Sequence, residues 1–433
     1  MVDILLIQPP LPFESEHIEK PLCQPLGLGY IGSFLILKGF SVKILDFSAL
    51  GMKIDEAVLE IKKENPKILG ISVSTPGYKN ALKIAKEVKE GDQQIITVFG
   101  GPHVTFAIEE TLAHKEVDFV IREEGEVTMT ELTESILRGF KEVNSIEGLS
   151  YRIGDRIIHN PSRPLIKDLD AIPFPIRDSP HLYKIPASLI TSRGCPYKCI
   201  FCSAGAMFGG SYRVRNPKNV ILEVNHILNS MNPDFFFISD DTFTINPERT
   251  KKICQEFKNL GVKWVCAARA NLVNREIIKS MAESGCFLLQ FGVESGSQKI
   301  LNSIKKGITI NQVRKGVKWC IEFGIKPVCS FMIPHPEDTH ETIEETREFM
   351  KELKNYGVYL FISFTTPFPG TFLYTHAENL GIKFLTKDTD KFNLENPVIE
   401  TKHLKLEDIE KAFEEFSAIS AESLPSKLWK IND

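Results

Sequence analysis

Three cysteines within eight residues constrain this chain more than any other feature. They stand in Thr191-Ser192-Arg193-Gly194-Cys195-Pro196-Tyr197-Lys198-Cys199-Ile200-Phe201-Cys202, directly after the apolar run Ala187-Ser188-Leu189-Ile190. That run reads as a strand, so the cysteines lie on the loop at a strand's C-terminal end, where α/β barrels carry their chemistry. Three thiolates can hold three irons of a [4Fe–4S] cube, which ordinarily takes four, and the remaining iron then keeps an open position. The competing readings are a zinc site or three buried thiols. A zinc site usually shows a second Cys or His pair at similar spacing, and none follows. The other six cysteines are scattered singly through apolar segments, which does not make a disulfide framework.

Composition bounds the rest. At 433 residues, 42% hydrophobic and 25% charged, the chain suffices for two domains and is too apolar for wholesale disorder. A net charge of −4 without a basic block argues against a nucleic-acid partner. No apolar run approaches the roughly 20 residues of a transmembrane segment. Residues 1–7 read as a strand rather than a signal peptide. The odd count of nine cysteines fits a reducing, cytoplasmic setting.

Short apolar runs alternate with amphipathic segments twice over. In the first half, strands are expected at 4–7, 42–45, 68–73, 95–99 and 117–121, with helices at 26–38, 54–63, 78–90, 108–114 and 127–137. This is the pattern of an α/β, doubly wound parallel-sheet (Rossmann-like) domain, whose ligands sit at the strands' C-terminal ends. Those ends carry Gln8-Pro9-Pro10, Ser72-Val73-Ser74-Thr75, Gly100-Gly101-Pro102-His103 and Gly125-Glu126. Residues 145–160 read as a hairpin, and 161–186 as a proline-rich, semi-rigid linker packed on both domains. In the second half, strands are expected at 187–190, 235–239, 263–267, 287–292, 328–333 and 360–364. They give a partial (β/α)6 barrel, followed by a small helical C-terminal extension with helices at 404–419 and 424–433. The expected division is 1–145, 146–186, 187–372 and 373–433. Leu406, Ile409, Phe413 and Phe416 share one helical face, for core packing or for capping a substrate.

The cysteine stretch, with aromatic Phe201 before the third cysteine, resembles the cluster loop of radical S-adenosylmethionine (SAM) enzymes. The resemblance implies Cys195, Cys199 and Cys202 as cluster ligands, with SAM's amino and carboxylate groups on the open iron. It extends to Gly292-Val293-Glu294-Ser295-Gly296-Ser297, which implies Glu294 near the ribose hydroxyls, while Ser295 reads equally as a helix cap. Acids in Ser239-Asp240-Asp241-Thr242 occupy the place of the family's Gly-Gly-Glu stretch. That implies Asp240 or, preferentially, Asp241 as partner of the SAM ammonium, against a helix-capping alternative. Arg269 has a fork suited to the methionine carboxylate or a substrate carboxylate, against a surface salt bridge. Pro334-His335-Pro336-Glu337-Asp338-Thr339 departs from the Gly-Leu-Pro-Gly-Glu-Thr of many relatives and puts His335 at the barrel mouth. There it reads either as a catalytic candidate or as a surface histidine. Thr366-Pro367-Phe368-Pro369-Gly370-Thr371 matches again and implies an adenine-side wall.

The first half resembles the cobalamin-binding domain that precedes many such enzymes. This implies Ser72, Ser74, Thr75, Gly100, Gly101 and Gly125 around the corrin and nucleotide tail, with Gln8, Pro102 and Glu126 in the same candidate set. The wider cobalamin class carries Asp-x-His-x-x-Gly after its first strand, and Gln8-Pro9-Pro10 stands there instead. His103 lies on another loop and reads as a tail-binding or structural residue, so cobalamin is expected without a protein His ligand. An open lower cobalt face favours methyl transfer. Across almost the whole chain the resemblance implies a cobalamin-dependent radical SAM methyltransferase acting on an unactivated carbon through methylcobalamin and a 5′-deoxyadenosyl radical. Cyclisation, ring contraction or oxygen insertion on the same cofactors, cobalamin-free radical chemistry, and a non-catalytic binding module remain alternatives. A small or lipidic substrate and an external reductant of flavodoxin or ferredoxin type complete the expectation.

Overall fold

Ile4, Leu5, Leu6 and Ile7 are all buried, without the alternation of a half-exposed strand. Leu5 and Ile7 join one apolar core, Ile4 and Leu6 another, so this strand has helices on both faces. The computed structural model describes residues 2–12, 21–185 and 187–421. It divides into two compact units, Met1–Pro186 and Ala187–Asp433.

In the first unit the strands are β1 (Ile4–Gln8), β2 (Val42–Asp46), β3 (Ile68–Ser72), β4 (Ile96–Gly100), β5 (Phe119–Ile121), β6 (Leu149–Ile153) and β7 (Arg156–His159). Their order in the sheet is β2-β1-β3-β4-β5-β6-β7. The strands β1 to β5 run parallel, and the order reverses between β1 and β3, which marks the ligand crevice of such sheets. The hairpin continues this sheet: β6 pairs antiparallel with β5, and β7 with β6. The helix expected at 108–114 is the short Ile108–Leu112, and a further short helix that the pattern did not announce, Pro102–Phe106, precedes it across Ala107.

The proline-rich connector is bonded along its length to the first unit. The Ile166 N–H donates to Glu124, Ser33 Oγ to the Phe174 carbonyl (2.6 Å), and Gln24 Nε2 to the Ile176 carbonyl (2.9 Å). The Tyr183 hydroxyl donates to the buried Asp46 carboxylate at 3.0 Å. Burial, aided by the Asp46 charge, pushes the Tyr183 phenol far up, so it remains a donor.

The second unit carries β8 (Ser188–Leu189), a ribbon of β9 (Ser192–Arg193) and β10 (Arg213–Val214), then β11 (Phe236–Ile238), β12 (Trp264–Ala268), β13 (Cys286–Glu294), β14 (Lys326–Ile333) and β15 (Tyr359–Phe364). The barrel sheet has the order β15-β14-β13-β12-β11-β8, with every pairing parallel. Edge-to-face contacts of Trp264 with Phe243 (5.5 Å) and Phe257 (5.6 Å) fill its wall.

The C-terminal extension is not wholly helical. Before the helix Leu406–Ala421, β16 (Lys383–Phe384) pairs antiparallel with β17 (Ile399–Glu400). That helix packs into the core: Ile409 and Phe416 are buried, and Phe413 stacks on Phe364 of β15 at 3.8 Å. Ser420 Oγ donates to the Leu360 carbonyl, closing the helix over β15. The expected helix at 424–433 lies outside the described residues.

Two glycines in the helix Leu26–Leu37 make a paired test. A Cβ at Gly27 meets nothing within 4 Å, whereas one at Gly29 lies 2.6 Å from the Ile176 carbonyl oxygen. Alanine in a helix interior gains about 0.5–1 kcal/mol over glycine, and overpacking costs about 1–3 kcal/mol. In calorimetry of the full chain, Gly27→Ala raises the melting temperature and Gly29→Ala lowers it.

Candidate active site

The cysteine loop is an excursion closed at its base by the β9–β10 ribbon. Gly194, φ +85°, starts it, and any Cβ there would collide with the Ser211 carbonyl oxygen, so only glycine turns this corner. The end of β11 anchors the first half. The buried Asp240 carboxylate accepts four hydrogen bonds, from the N–H and hydroxyl groups of Thr191 and Ser192, at 2.5–3.1 Å. Arg249, also buried, donates to the carbonyls of Thr191 (2.6 Å) and Arg215 (3.1 Å). Asp240 is therefore occupied by the protein itself, and its neighbour is the one left facing the loop. Asp241 is exposed and accepts from the Gly194 N–H at 3.1 Å. Surrounding protein atoms push its carboxyl up, as does the Asp240 charge, while the Gly194 N–H opposes the rise.

Cys195 is buried with its sulfur 4.0 Å from Thr242 Oγ1, Cys199 is half-buried, and Cys202 is exposed. Cys202 keeps its solvent access although protein atoms crowd it. That crowding pushes its thiol up to about 11, and the charges of Cys199, Asp241 and Cys195 add to the rise. The three sulfurs and Asp241 thus share one neighbourhood. Among the described residues no three His, Cys, Asp or Glu side chains converge on a single-ion position. A cube asks for something else, because each thiolate takes its own iron. A bound cation holds such thiols deprotonated.

The second half of the loop is held by later strand ends. The Ile200 N–H donates to the Ile304 carbonyl, and its carbonyl accepts from the Leu373 N–H. Arg269, just past β12 and 6% exposed, donates from Nη1 to Cys199 Sγ at 3.4 Å and from Nη2 to the Lys306 carbonyl. Its guanidinium lies 3.8 Å from the Tyr197 ring centre. It is not a surface salt bridge.

Glu294 ends β13 with φ +72°, at a register shift between Gly292 and Glu294 in the pairing with β14. Such bulges re-aim a side chain, and a non-glycine residue at this φ stores strain. The strain is locked from two sides. Lys306 Nζ meets Glu294 Oε1 at 2.6 Å, both side chains being 8% exposed. His335 Nε2 lies 3.3 Å from the Glu294 carbonyl oxygen. A Cβ on Gly292 would stand 2.6 Å from Glu294 Oε1 and 2.9 Å from Lys306 Nζ, so the glycine makes room for the ion pair. Ser295 caps the following turn: its Oγ accepts from the Ser297 N–H and lies 3.0 Å from Thr346 Oγ1. His335 is not a surface histidine. It is 1% exposed, and its backbone N–H donates to the buried Asp338 carboxylate at 2.7 Å.

These residues fit a ligand with a carboxylate, an ammonium and a diol. Arg269 Nε, Asn271 Oδ1 and Ser297 Oγ are buried without a partner among the described residues. The sequence motifs did not point to Lys306, Tyr197 or Asn271. Only the need of a buried Glu294 for a cation would have suggested Lys306.

In the first unit Gln8 and Ser72 end β1 and β3, the strands flanking the order reversal. Ser74 is half-buried, and a Cβ at Gly100 has only the Ile121 carbonyl within 4 Å, so this strand end leaves room for a flat ligand's edge. Gly101 serves the protein: with φ +100°, its Cβ would lie 2.9 Å from Val73 N and O. Pro102 is exposed, and Gly125 and Glu126 are buried at the start of the helix Glu126–Leu137. His103 is buried, its ring centre 4.3 Å from that of Tyr78 and its Nδ1 3.2 Å from Thr75 Oγ1. Burial pushes it down to about 4, so it is neutral.

Two outcomes follow for stability. Lys306→Met leaves the buried Glu294 carboxylate uncompensated and lowers unfolding free energy by about 3–5 kcal/mol, read by denaturant titration. For His103 the unfolded ring takes its proton near pH 6.5 and the folded one only near pH 4. Its contribution is therefore complete above pH 6.5 and is lost as pH falls towards about 4, by about 3 kcal/mol in all. His103→Gln shows a smaller drop in melting temperature between about pH 7.5 and about pH 5 than the parent.

The Radical SAM superfamily pattern matches residues 189–350, and the B12 binding domain pattern matches residues 20–133. An uncharacterized methyltransferase of Pyrococcus horikoshii is 36% identical over 423 residues, 95% of this chain and 90% of that protein. The anaerobic magnesium-protoporphyrin IX monomethyl ester cyclase of Rubrivivax gelatinosus is 27% identical, over 87% of this chain and 69% of that protein. The radical SAM methyltransferase TsrM of Kitasatospora setae, solved with cobalamin and a [4Fe–4S] cluster, superposes with a TM-score of 0.76. At 16% identity, over 97% of this chain and 91% of that one, this likeness shows the fold. The chain belongs to the radical SAM superfamily, among the cobalamin-dependent enzymes that carry a B12-binding domain before the radical core, and its cofactors are a [4Fe–4S] cluster, SAM and cobalamin.

Proposed function

We propose that this enzyme transfers a methyl group from SAM to an unactivated carbon of a small or lipidic molecule. The carrying observation is the match along nearly the whole chain to a protein named as a methyltransferase, at 36% identity. When bound, the cluster supplies the electron that cleaves SAM, and cobalamin carries the methyl group. Cys195, Cys199 and Cys202 hold the cluster. Asp241, the member of the acid pair not consumed by the loop, receives the SAM ammonium. Arg269 Nε offers its remaining donor to a carboxylate, and the other oxygen of Glu294 faces the ribose. Asp240, Ser295 and His335 hold these residues in place. Gln8, Ser72, Ser74 and Gly100 take the cobalamin edge, while Thr75, Gly101, Pro102, His103, Gly125 and Glu126 shape the loops behind it. The described residues include no helix long and apolar enough to cross a membrane. None of the nine cysteines is in a disulfide, which supports a reducing cytoplasm. In this reading the electron comes from a flavodoxin- or ferredoxin-type donor.

Ring-forming oxidation on the same cofactors is the second reading, supported by the cyclase at 27% identity. The products separate the two. The anaerobically reconstituted enzyme, given SAM, hydroxocobalamin, a reductant and candidate substrates, forms both S-adenosylhomocysteine and 5′-deoxyadenosine. Cys199→Ala reduces 5′-deoxyadenosine to background. Formation of 5′-deoxyadenosine with product but no S-adenosylhomocysteine excludes methyl transfer and leaves the non-methylating chemistries, cyclisation among them.

A further inference from the structure

We propose that Arg269 tunes the cluster through its ligand: its guanidinium donates a hydrogen bond to the Cys199 sulfur and raises the cluster's reduction potential. This rests on the reading of Cys199 as a cluster ligand. Three contacts fix the fork, with Nη1 on Cys199 Sγ at 3.4 Å, Nη2 on the Lys306 carbonyl, and the plane against Tyr197 at 3.8 Å. At 6% exposure it has no solvent to swing into. An arginine's planar fork serves sulfur and carbonyl together, which a lysine ammonium does not. Reduction adds negative charge to the cluster, and an N–H aimed at a ligand sulfur stabilises that charge. Hydrogen bonds to the sulfurs are among the levers that set such potentials. Cys195 meets the Thr242 hydroxyl at 4.0 Å and the exposed Cys202 meets the backbone of Ala204, both neutral partners, whereas Arg269 brings a charged donor to Cys199. Lys306 ties the same guanidinium to Glu294, so one buried chain of contacts links the cysteine loop to the strained end of β13.

The test is a redox titration of the full chain followed by electron spin resonance, with iron and sulfide counted first. Arg269→Gln shifts the potential to more negative values, equivalent to at least a roughly tenfold smaller equilibrium constant for reduction, the effect of losing one charge-assisted hydrogen bond. Tyr197→Leu keeps the charge but loosens the fork, and shifts the potential less in the same direction. If Arg269→Gln fails to retain the cluster, Tyr197→Leu decides. Unchanged potentials in the variants that hold the cluster, with only weaker SAM binding, overturn the proposal and leave Arg269 a carboxylate anchor. A parent chain without iron overturns the assignment of Cys199, and this inference with it.

Discussion

The Asp240 carboxylate is the point on which the cysteine loop depends. A buried carboxylate is costly unless its oxygens are filled, and desolvation pushes its pKa up. Four donors from Thr191 and Ser192 and the charge of Arg249 offset that cost. The bonds run from the end of β11 to the residues immediately after β8, so the short first strand is held in register by side chains as well as by its ladder. Ser192 also begins the ribbon that closes the loop. The same carboxylate therefore sets where Gly194 turns and where Cys195 begins.

The loop's other half is fixed by a different device. Lys306 does three things at once: its carbonyl receives Arg269, its ammonium neutralises Glu294, and it sits 5.6 Å from the centre of the Phe201 ring. The strained backbone of Glu294 persists because the surrounding contacts over-determine it. An apolar pair of similar volume would hold the strand end without the cost of burying two charges. Retaining the pair makes sense where a carboxylate is needed at that spot for a ligand.

The elements were legible because periodicity reports burial. The parallel strands of both sheets and the amphipathic helices announce themselves locally, as do the cysteine spacing and the Gly292–Ser297 stretch. What was not legible depends on partners far away in sequence. The resemblance favours Asp241 over Asp240 but gives no reason for Asp240's role, because 48 residues separate Asp240 from the Ser192 hydroxyl that claims it. His335 looks like a surface histidine until the end of β13 is placed against it. The connector reads as a semi-rigid packed linker, but its prolines hide which bonds pack it, those made by Ile166, Phe174 and Ile176. The hairpin was seen, but its pairing with β5 is a tertiary fact that local pattern does not contain.

His103 shows how burial chooses between two chemical readings of one residue. A histidine at the end of a strand in a cobalamin-type domain invites assignment as a metal ligand. Ligation needs an accessible neutral nitrogen, and His103 satisfies only the second condition. Its Nδ1 is engaged with Thr75, its Nε2 is buried, and Tyr78 covers its face. Gln8, at the strand end beside the order reversal, is half-exposed and offers an amide in its place. An amide donates and accepts hydrogen bonds but is a poor ligand for cobalt, so it can orient a corrin's polar edge without donating electrons to the metal. Were cobalamin held at this strand end, Gln8 would hold a polar edge of it by hydrogen bonds, and the choice of an amide over a histidine would suit a cofactor that carries a methyl group without a strong protein ligand.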